Sequence, residues 1–430
     1  MPLHDAAFYF CAFFIVGIFL YIIGAGIWAT AGLAAVITFF LQRKNKLMAS
    51  ALSLFILVGF FYAHFHGSAQ ADYIPFAEAI VFHAVVFVDP EGGQKSQKVR
   101  VALQEPYRGN ITAYLPLYPE FSYGDLLEFK GVIDKSPSGR ANVSLFPEVE
   151  LIAVGYGNEF KAALFAVKNR LIAAMQSTLS PHNSALASGL LLGERAEFSE
   201  EFEEAMRVSG TTHIVALSGF NISIIGMMVS NTLGFFMNRR KSFYITLAFI
   251  TAFVLMTGAE ASVVRAGIMG IIILLATQSG RIYNFRNAIT ITALAMLLLN
   301  PGILVYDVGF QLSFAALLGI IYLEPWLKER LPLRKDDAGF LNWRDNLRQT
   351  SAAQLAVLPI LLVVFGYFSP LSLAANVLIL GLIPITMFFS FITSLVGLMS
   401  INLSVAPALL TGALLGYETF IIHLFALDWI

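Results

Sequence analysis

The sequence is short of charge and nearly without cysteine. Charged residues make up 13% of its 430 positions against 57% hydrophobic, and the mean hydropathy is +0.74. A soluble protein of this length cannot hide so much apolar surface, which excludes the soluble classes and leaves a polytopic membrane protein. A net charge of −1 gives no global attraction to nucleic acid or to an anionic surface. The single cysteine, Cys11, lies in an apolar run, so an intrachain disulfide and a thiolate metal cluster are both excluded. The seven histidines form no H-E-x-x-H motif, and there is no Walker A loop. No metal, cofactor or nucleotide hydrolysis is therefore expected.

What is present falls into blocks. Ala6 to Leu41 carries no charge over 36 residues, whereas one crossing needs about 20. The expectation is a helical hairpin turning at Gly24 and Gly26, not a cleaved signal. The charged break Arg43, Lys44, Lys46 follows, then a third span from about Leu47 to Tyr62; residues 1–66 form the first block. The positive-inside rule puts the 43–46 loop in the cytoplasm and the chain after the third span outside.

Between 72 and 155 the pattern changes to strands: "IVFHAVVFV", "KVRVAL", "ITAYLPL", "DLLEFKGVI" and "VSLFPEVELI", separated by turns such as "DPEGGQ" and "SPSG". Five short strands suit a small β-barrel, with an OB-like fold the best match. The expected fold class is thus a polytopic α-helical membrane protein with a small extracytoplasmic barrel inserted after the third span. Such barrels bind single strands through aromatics and a basic groove, which makes Tyr107, Tyr114, Tyr118 and Tyr123 candidate DNA contacts. Residues 75–155 hold seven Lys/Arg against ten Asp/Glu, so a scaffolding role stands beside that reading.

Residues 156–210 read as an amphipathic helix, about Glu159 to Leu179, and an acidic helix, both expected at the membrane surface. The acidic helix is capped by Ser199 and closed by Gly210. Residues 211–430 hold about eight further spans, near 214–237, 243–259, 261–279, 287–305, 307–324, 351–367, 371–399 and 405–426. Pro384 kinks or splits the seventh. The clusters Arg239-Arg240-Lys241, Arg281/Arg286 and Lys328 to Arg348 fall on one side, in agreement with the first topology.

Three polar constellations interrupt this block. "TTHIVALSGFNISII" carries His213, Ser218, Gly219 and Asn221; "GAEASVVRAGIM" carries Glu260 and Arg265. In "YDVGFQLSF", Asp307 and Gln311 are spaced to share a helix face, with Ser313 beside them. Ionisable groups at membrane depth usually face a bundle interior or a water-filled path. Each also has a local reading: Asn221 as an interhelical hydrogen bond, Arg265 snorkelling outward, Asp307 as a helix cap. Catalysis fares worse, because "ALSGF" is not a G-x-S-x-G elbow. On one helix His213 and Ser218 would also point about 140° apart.

"LLLGERAEFSEEFEEAMRVSGTTHIVALSGFNISII", "ASVVRAGIMG", "GRIYNFRNAITITALAMLLLNPGILVYDVGFQLSFAALLGI" and "FSYGDLLEFKGVI" together resemble the ComEC family of DNA-internalisation channels. The resemblance implies a channel in the bacterial cytoplasmic membrane that passes single-stranded DNA inward during natural transformation. Its partners would be an extracytoplasmic DNA receptor and pilus, and a cytoplasmic ATPase or helicase. His213, Ser218, Gly219, Asn221, Arg265, Asp307, Gln311 and Ser313 become channel-lining or structural candidates, with Glu260 added from its polarity. Many members carry a metallo-β-lactamase-like domain; none is expected within this sequence, so no enzymatic activity is assigned. The alternatives are a secondary transporter of a small polar substrate and, further off, a membrane serine hydrolase.

Overall fold

The apolar runs at the start of the chain form α1 (Leu3–Ile22), α2 (Ile27–Leu41) and α3 (Lys46–Ala69). Gly24, at φ +77°, turns the first pair as its position predicts. The structure, a computed structural model, describes residues 3–41, 46–69, 74–93, 95–135, 142–194, 198–215, 219–278, 284–330 and 343–426. It comprises two compact units, neither continuous in sequence.

The first unit joins residues 1–72 to residues 268–314. Glycine sets how α1 and α3 meet. A Cβ on Gly17 would lie 2.0 Å from the Ile56 carbonyl oxygen, and one on Gly59 would lie 2.1 Å from that of Phe14. The two backbones touch at both places, the close approach by which small residues drive helix association in lipid. The Ser53 hydroxyl holds α2 by donating to Ala34 O at 2.9 Å, beside the Thr38 hydroxyl at 2.5 Å. Helix α11 (Phe285–Leu299) packs on α1, and the Tyr62 hydroxyl donates to Leu298 O at 2.5 Å.

The second unit holds residues 73–267 and 315–430. Its β part runs β1 (Ala79–Val86), β2 (Glu91–Gly92), β3 (Gln97–Leu103), β4 (Asn110–Leu115), β5 (Leu126–Val132), β6 (Asp134–Lys135), β7 (Asn142–Leu145) and β8 (Glu148–Ala153). Period-two alternation sends Val99, Val101 and Leu103 of β3 inward, where they meet Ile111, Leu115, Leu127, Ile133 and the stacked pair Phe82–Phe129. The hydrogen-bonded order is β6-β7-β4-β3-β1-β5-β8, with β2 on β3. All pairings are antiparallel except β4 with β7. The expected five strands are all present, but a closed barrel is not found. The last predicted strand is cut in two at Phe146 and Pro147, because Pro147 has no N–H for a ladder and Phe146 sits at φ +47°.

The helices that follow are α4 (Glu159–Thr178), α5 (Pro181–Leu192), α6 (Glu200–Val208), α7 (Thr212–Val215), α8 (Gly219–Phe236), α9 (Arg239–Met256) and α10 (Ala261–Gln278). After α11 come α12 (Ile303–Tyr306), α13 (Val308–Arg330), α14 (Trp343–Phe365), α15 (Ser372–Leu380), α16 (Ile383–Met399) and α17 (Ile401–Leu424); α10 and α13 each begin in one unit and end in the other. The starts are chemically marked. Asn158, Ser180 and Ser199 cap α4, α5 and α6 through their side chains, and Gly210 at φ +68° closes α6, as expected.

The number of full-length spans differs from expectation. Among the described residues, four helices are long and apolar enough to cross a membrane: most of α3, α13, α14 and α17. The pair α15–α16, bent by 53°, makes a fifth if counted as one span. The split expected near Pro384 is thus real, with Pro384 in the first turn of α16 rather than inside a helix. The apolar parts of α1, α2, α8, α10 and α11 fall below the 18-residue length. Taken with its composition, the chain fits a multi-pass membrane protein.

Candidate functional site

The opening polar stretch falls on two described helical segments. α7 carries His213, and α8 is described from Gly219. Ser218 lies outside the described residues, so the geometry of a His–Ser pair does not enter. Asn221, only 2% exposed, sits in the first turn of α8 and donates through Nδ2 to Leu190 O of α5 at 3.1 Å. It therefore ties α8 to the buried α5. Replacing Asn221 with alanine leaves the α5 carbonyl without that donor and is expected to destabilise the chain by about 1–3 kcal/mol, read as a lower melting temperature in detergent.

Glu260 and Arg265 part company. Glu260, exposed just before α10, faces Arg100 of β3 at 3.5 Å. Arg265 is 6% exposed within α10. A guanidinium placed that deep is the costliest feature of this helix.

In the first unit, Asp307 lies between α12 and α13, outside either helix. Its Oδ1 accepts from Phe310 N at 2.7 Å, which makes it the cap of α13. Gln311, expected to share a face with it, sits half-buried in the first turn and donates through Nε2 to Leu304 O and Val305 O at 3.1 and 2.8 Å. The two side chains thus pin the α12–α13 corner. Ser313 is half-buried two residues on.

The four tyrosines of the β part do not form one platform. Tyr107 packs against the apolar core, and Tyr114 is half-buried on β4, between Lys98 and Leu145 on its neighbour strands. Tyr123 is engaged: its hydroxyl accepts from Asn158 N at 3.0 Å and its ring lies 5.1 Å from that of Phe165. Tyr118 is 76% exposed. The basic residues beside them face acids. Lys98 and Arg100 both bind Glu91, at 2.9 and 2.5 Å, and Lys95 binds Glu200. Burial pushes the Glu91 carboxyl up, yet Lys98 and Arg100 together hold it below its ordinary value.

Two groups escaped the sequence reading. Lys168, on the buried face of α4, bonds Glu194 after α5 at 2.8 Å, and both are largely removed from solvent. Asp89, at the end of β1's hairpin, joins them: burial raises its carboxyl above the ordinary range, offset in part by Lys168 and a bond from Asn169. A lysine at a core-facing helical position was the available signal. The second is Glu418, 1% exposed in α17; a lone carboxylate in a 24-residue apolar helix was the signal there. Among the described residues no His/Cys/Asp/Glu group could hold a metal.

A family model described as Competence protein matches residues 190–429, which include the Asn221 and Arg265 helices, the Asp307 corner and Glu418. The chain belongs to this family. Similar to it is ComE operon protein 3 of Bacillus subtilis (strain 168), 28% identical over 260 residues, which cover 57% of this chain and 30% of that protein. An uncharacterized protein, YcaI, of Escherichia coli (strain K12) is 32% identical over 66 residues, 15% of this chain and 9% of that protein. The aligned segments therefore span less than a third of these curated relatives. No solved structure matches. Within the family match, the deepest polar side chains are Asn221, Arg265, Arg348, Asn376 and Glu418 together with a set of hydroxyls.

Proposed function

We propose that the chain is a cytoplasmic-membrane channel that passes single-stranded DNA inward during natural transformation. The observation that carries this reading is the family match over residues 190–429, which covers the helices bearing buried Asn221 and Arg265. Polar groups of this kind in apolar helices mark a path or a polar bundle interior. A backbone-tracking path of this kind reads phosphate and sugar and carries no sequence preference. In this reading the residues serve passage and no bond is cleaved by them.

The β part fits an OB-like domain on the outer face. Counting β7 and β8 as one interrupted strand, the order β4-β3-β1-β5 is flanked at both ends by that same strand. It lies parallel to β4 in its first half and antiparallel to β5 in its second. The outer placement is supported by the basic clusters at Arg239–Lys241 and Lys328–Arg348, which the positive-inside rule assigns to the cytoplasm. A DNA receptor and pilus outside, and an ATPase or helicase inside, complete the machine.

The test is uptake of labelled DNA into a nuclease-protected pool by a naturally competent host lacking its own channel. The chain should restore uptake. Arg265→Ala should still bind DNA at the surface but bring in at least tenfold less at equal membrane expression. A well-expressed chain that restores nothing, or an Arg265→Ala variant as active as the parent, overturns the reading.

A further inference from the structure

The helices α16 and α17 meet along a polar seam. On α16, Thr386, Ser390, Thr393 and Ser394 fall on one face and are all at or below 1% exposure. Facing them on α17 are Ser404, Thr411 and Glu418, equally buried. The Thr393 and Thr411 hydroxyls lie 2.9 Å apart, and Thr386 Oγ1 lies 2.6 Å from Glu418 Oε1. Ser390, one turn from Thr386, has no hydrogen-bond partner among the described residues.

The carboxyl group of Glu418 has Thr386 as its partner and forms no ion pair among the described residues. Every element packed on α17 sends its charge elsewhere. Helices α15 and α16 carry no ionisable residue. On α4, Lys168 is bound to Glu194, and Glu159 and Arg170 are exposed, with Lys161 half-buried at the far end. On α6, Glu200, Glu201, Glu203, Glu204 and Arg207 are exposed, with Arg207 paired to Glu204. On α5, His182 Nε2 is 3.1 Å from the Thr419 hydroxyl, and α17 itself adds Tyr417 and His423. An ionised carboxylate wants up to about four donors, and here it would have one neutral hydroxyl inside apolar helices. A carboxylic acid needs a single acceptor for its proton, and Thr386 Oγ1 is in place to be that acceptor.

Next to Glu418 in sequence, Thr419 leads outward. It bonds His182, and His182 and His423 both pack against Phe202, at ring-centroid distances of 4.5 and 5.9 Å. The titratable groups of this bundle thus gather at one end of α17, a turn or so from the buried carboxyl. We propose that Glu418 is a proton-binding site, a carboxylic acid held between α16 and α17 that exchanges its proton at the end marked by His182 and His423.

The site is read directly by infrared spectroscopy of the full chain in lipid bilayers at neutral pH. The wild type should show the carbonyl stretch of a protonated carboxylic acid, which Glu418→Gln removes. In deuterated water that band should move to lower frequency, and His182→Leu should slow the shift several-fold. Thr386→Val keeps the carboxyl but deletes its partner, so the band should remain and move to higher frequency, which reads Glu418 even if the glutamine variant folds poorly. A difference spectrum showing only carboxylate bands overturns the proton site. A protonated band indifferent to deuterated water, or an exchange rate untouched by His182→Leu, overturns the exchange route. None of these readouts depends on DNA.

Discussion

Lys168→Met is expected to lower the unfolding free energy by about 3–5 kcal/mol, the usual range when one partner of a buried ion pair is removed. The reason is what remains. Glu194 loses the ammonium 2.8 Å away, and Asp89 loses the charge that offsets its own burial. Lys168→Met with Glu194→Gln should recover most of the loss, since two neutral groups replace an unpaired charge. Thermal unfolding of the full chain in detergent measures both, and a double variant no better than the single one would sink the account.

The pH dependence follows from Asp89, whose carboxyl sits above its ordinary value of 3.8 in the folded chain. A raised carboxyl contributes stability below that ordinary value and loses it as pH rises through the folded-state value. The Lys168→Met defect should therefore be largest at neutral pH and shrink towards pH 4, as Asp89 takes up its proton.

The second large effect is expected at the first helix pair. Gly59→Val puts side-chain atoms where the Phe14 carbonyl already sits 2.1 Å from a bare Cβ. Backbone cannot move aside as a flexible side chain does, so α1 and α3 must separate. Overpacking in tight interfaces costs about 1–3 kcal/mol, and this contact is at the severe end. Gly17→Ala should behave alike, because its Cβ would meet Ile56 O at 2.0 Å. Gly32→Ala on α2 is the control: nothing lies within 4 Å, and alanine favours a helix over glycine by about 1 kcal/mol. Melting temperatures of the three variants in one detergent decide the matter; a Gly59→Val chain as stable as the Gly32→Ala chain would refute it.

Much of the architecture was legible because the relevant forces are local. Apolar runs, period-two alternation, the Ser199 cap and the Gly210 terminus each act within a few residues, and their elements lie where the pattern put them. Helix lengths were less legible, since hydropathy runs on through capping and corner residues. Thus Asp307, placed by spacing on the α13 face and by residue type at a cap, takes the cap position between one helix and the next. Partnerships across the fold were not legible at all. That Asn221 reaches Leu190 O, that Tyr123 is taken up by Asn158, or that Lys168 finds Glu194 depends on how distant elements pack. In the β part Lys95, Lys98 and Arg100 are each answered by an acid, in line with its acidic balance.

The interrupted strand at Phe146 and Pro147 also sets an order of events during synthesis. β3 can pair with β1 and then with β4 as soon as each has emerged, while the other edge of β1 must wait for β5. The parallel pairing of Thr112 with Val143 joins segments a whole hairpin apart, and loop closure of that kind is slow. Until residue 145 is made, β4 presents an open edge with unpaired N–H and C=O groups. The last part of this domain to leave the ribosome is therefore the part that seals it.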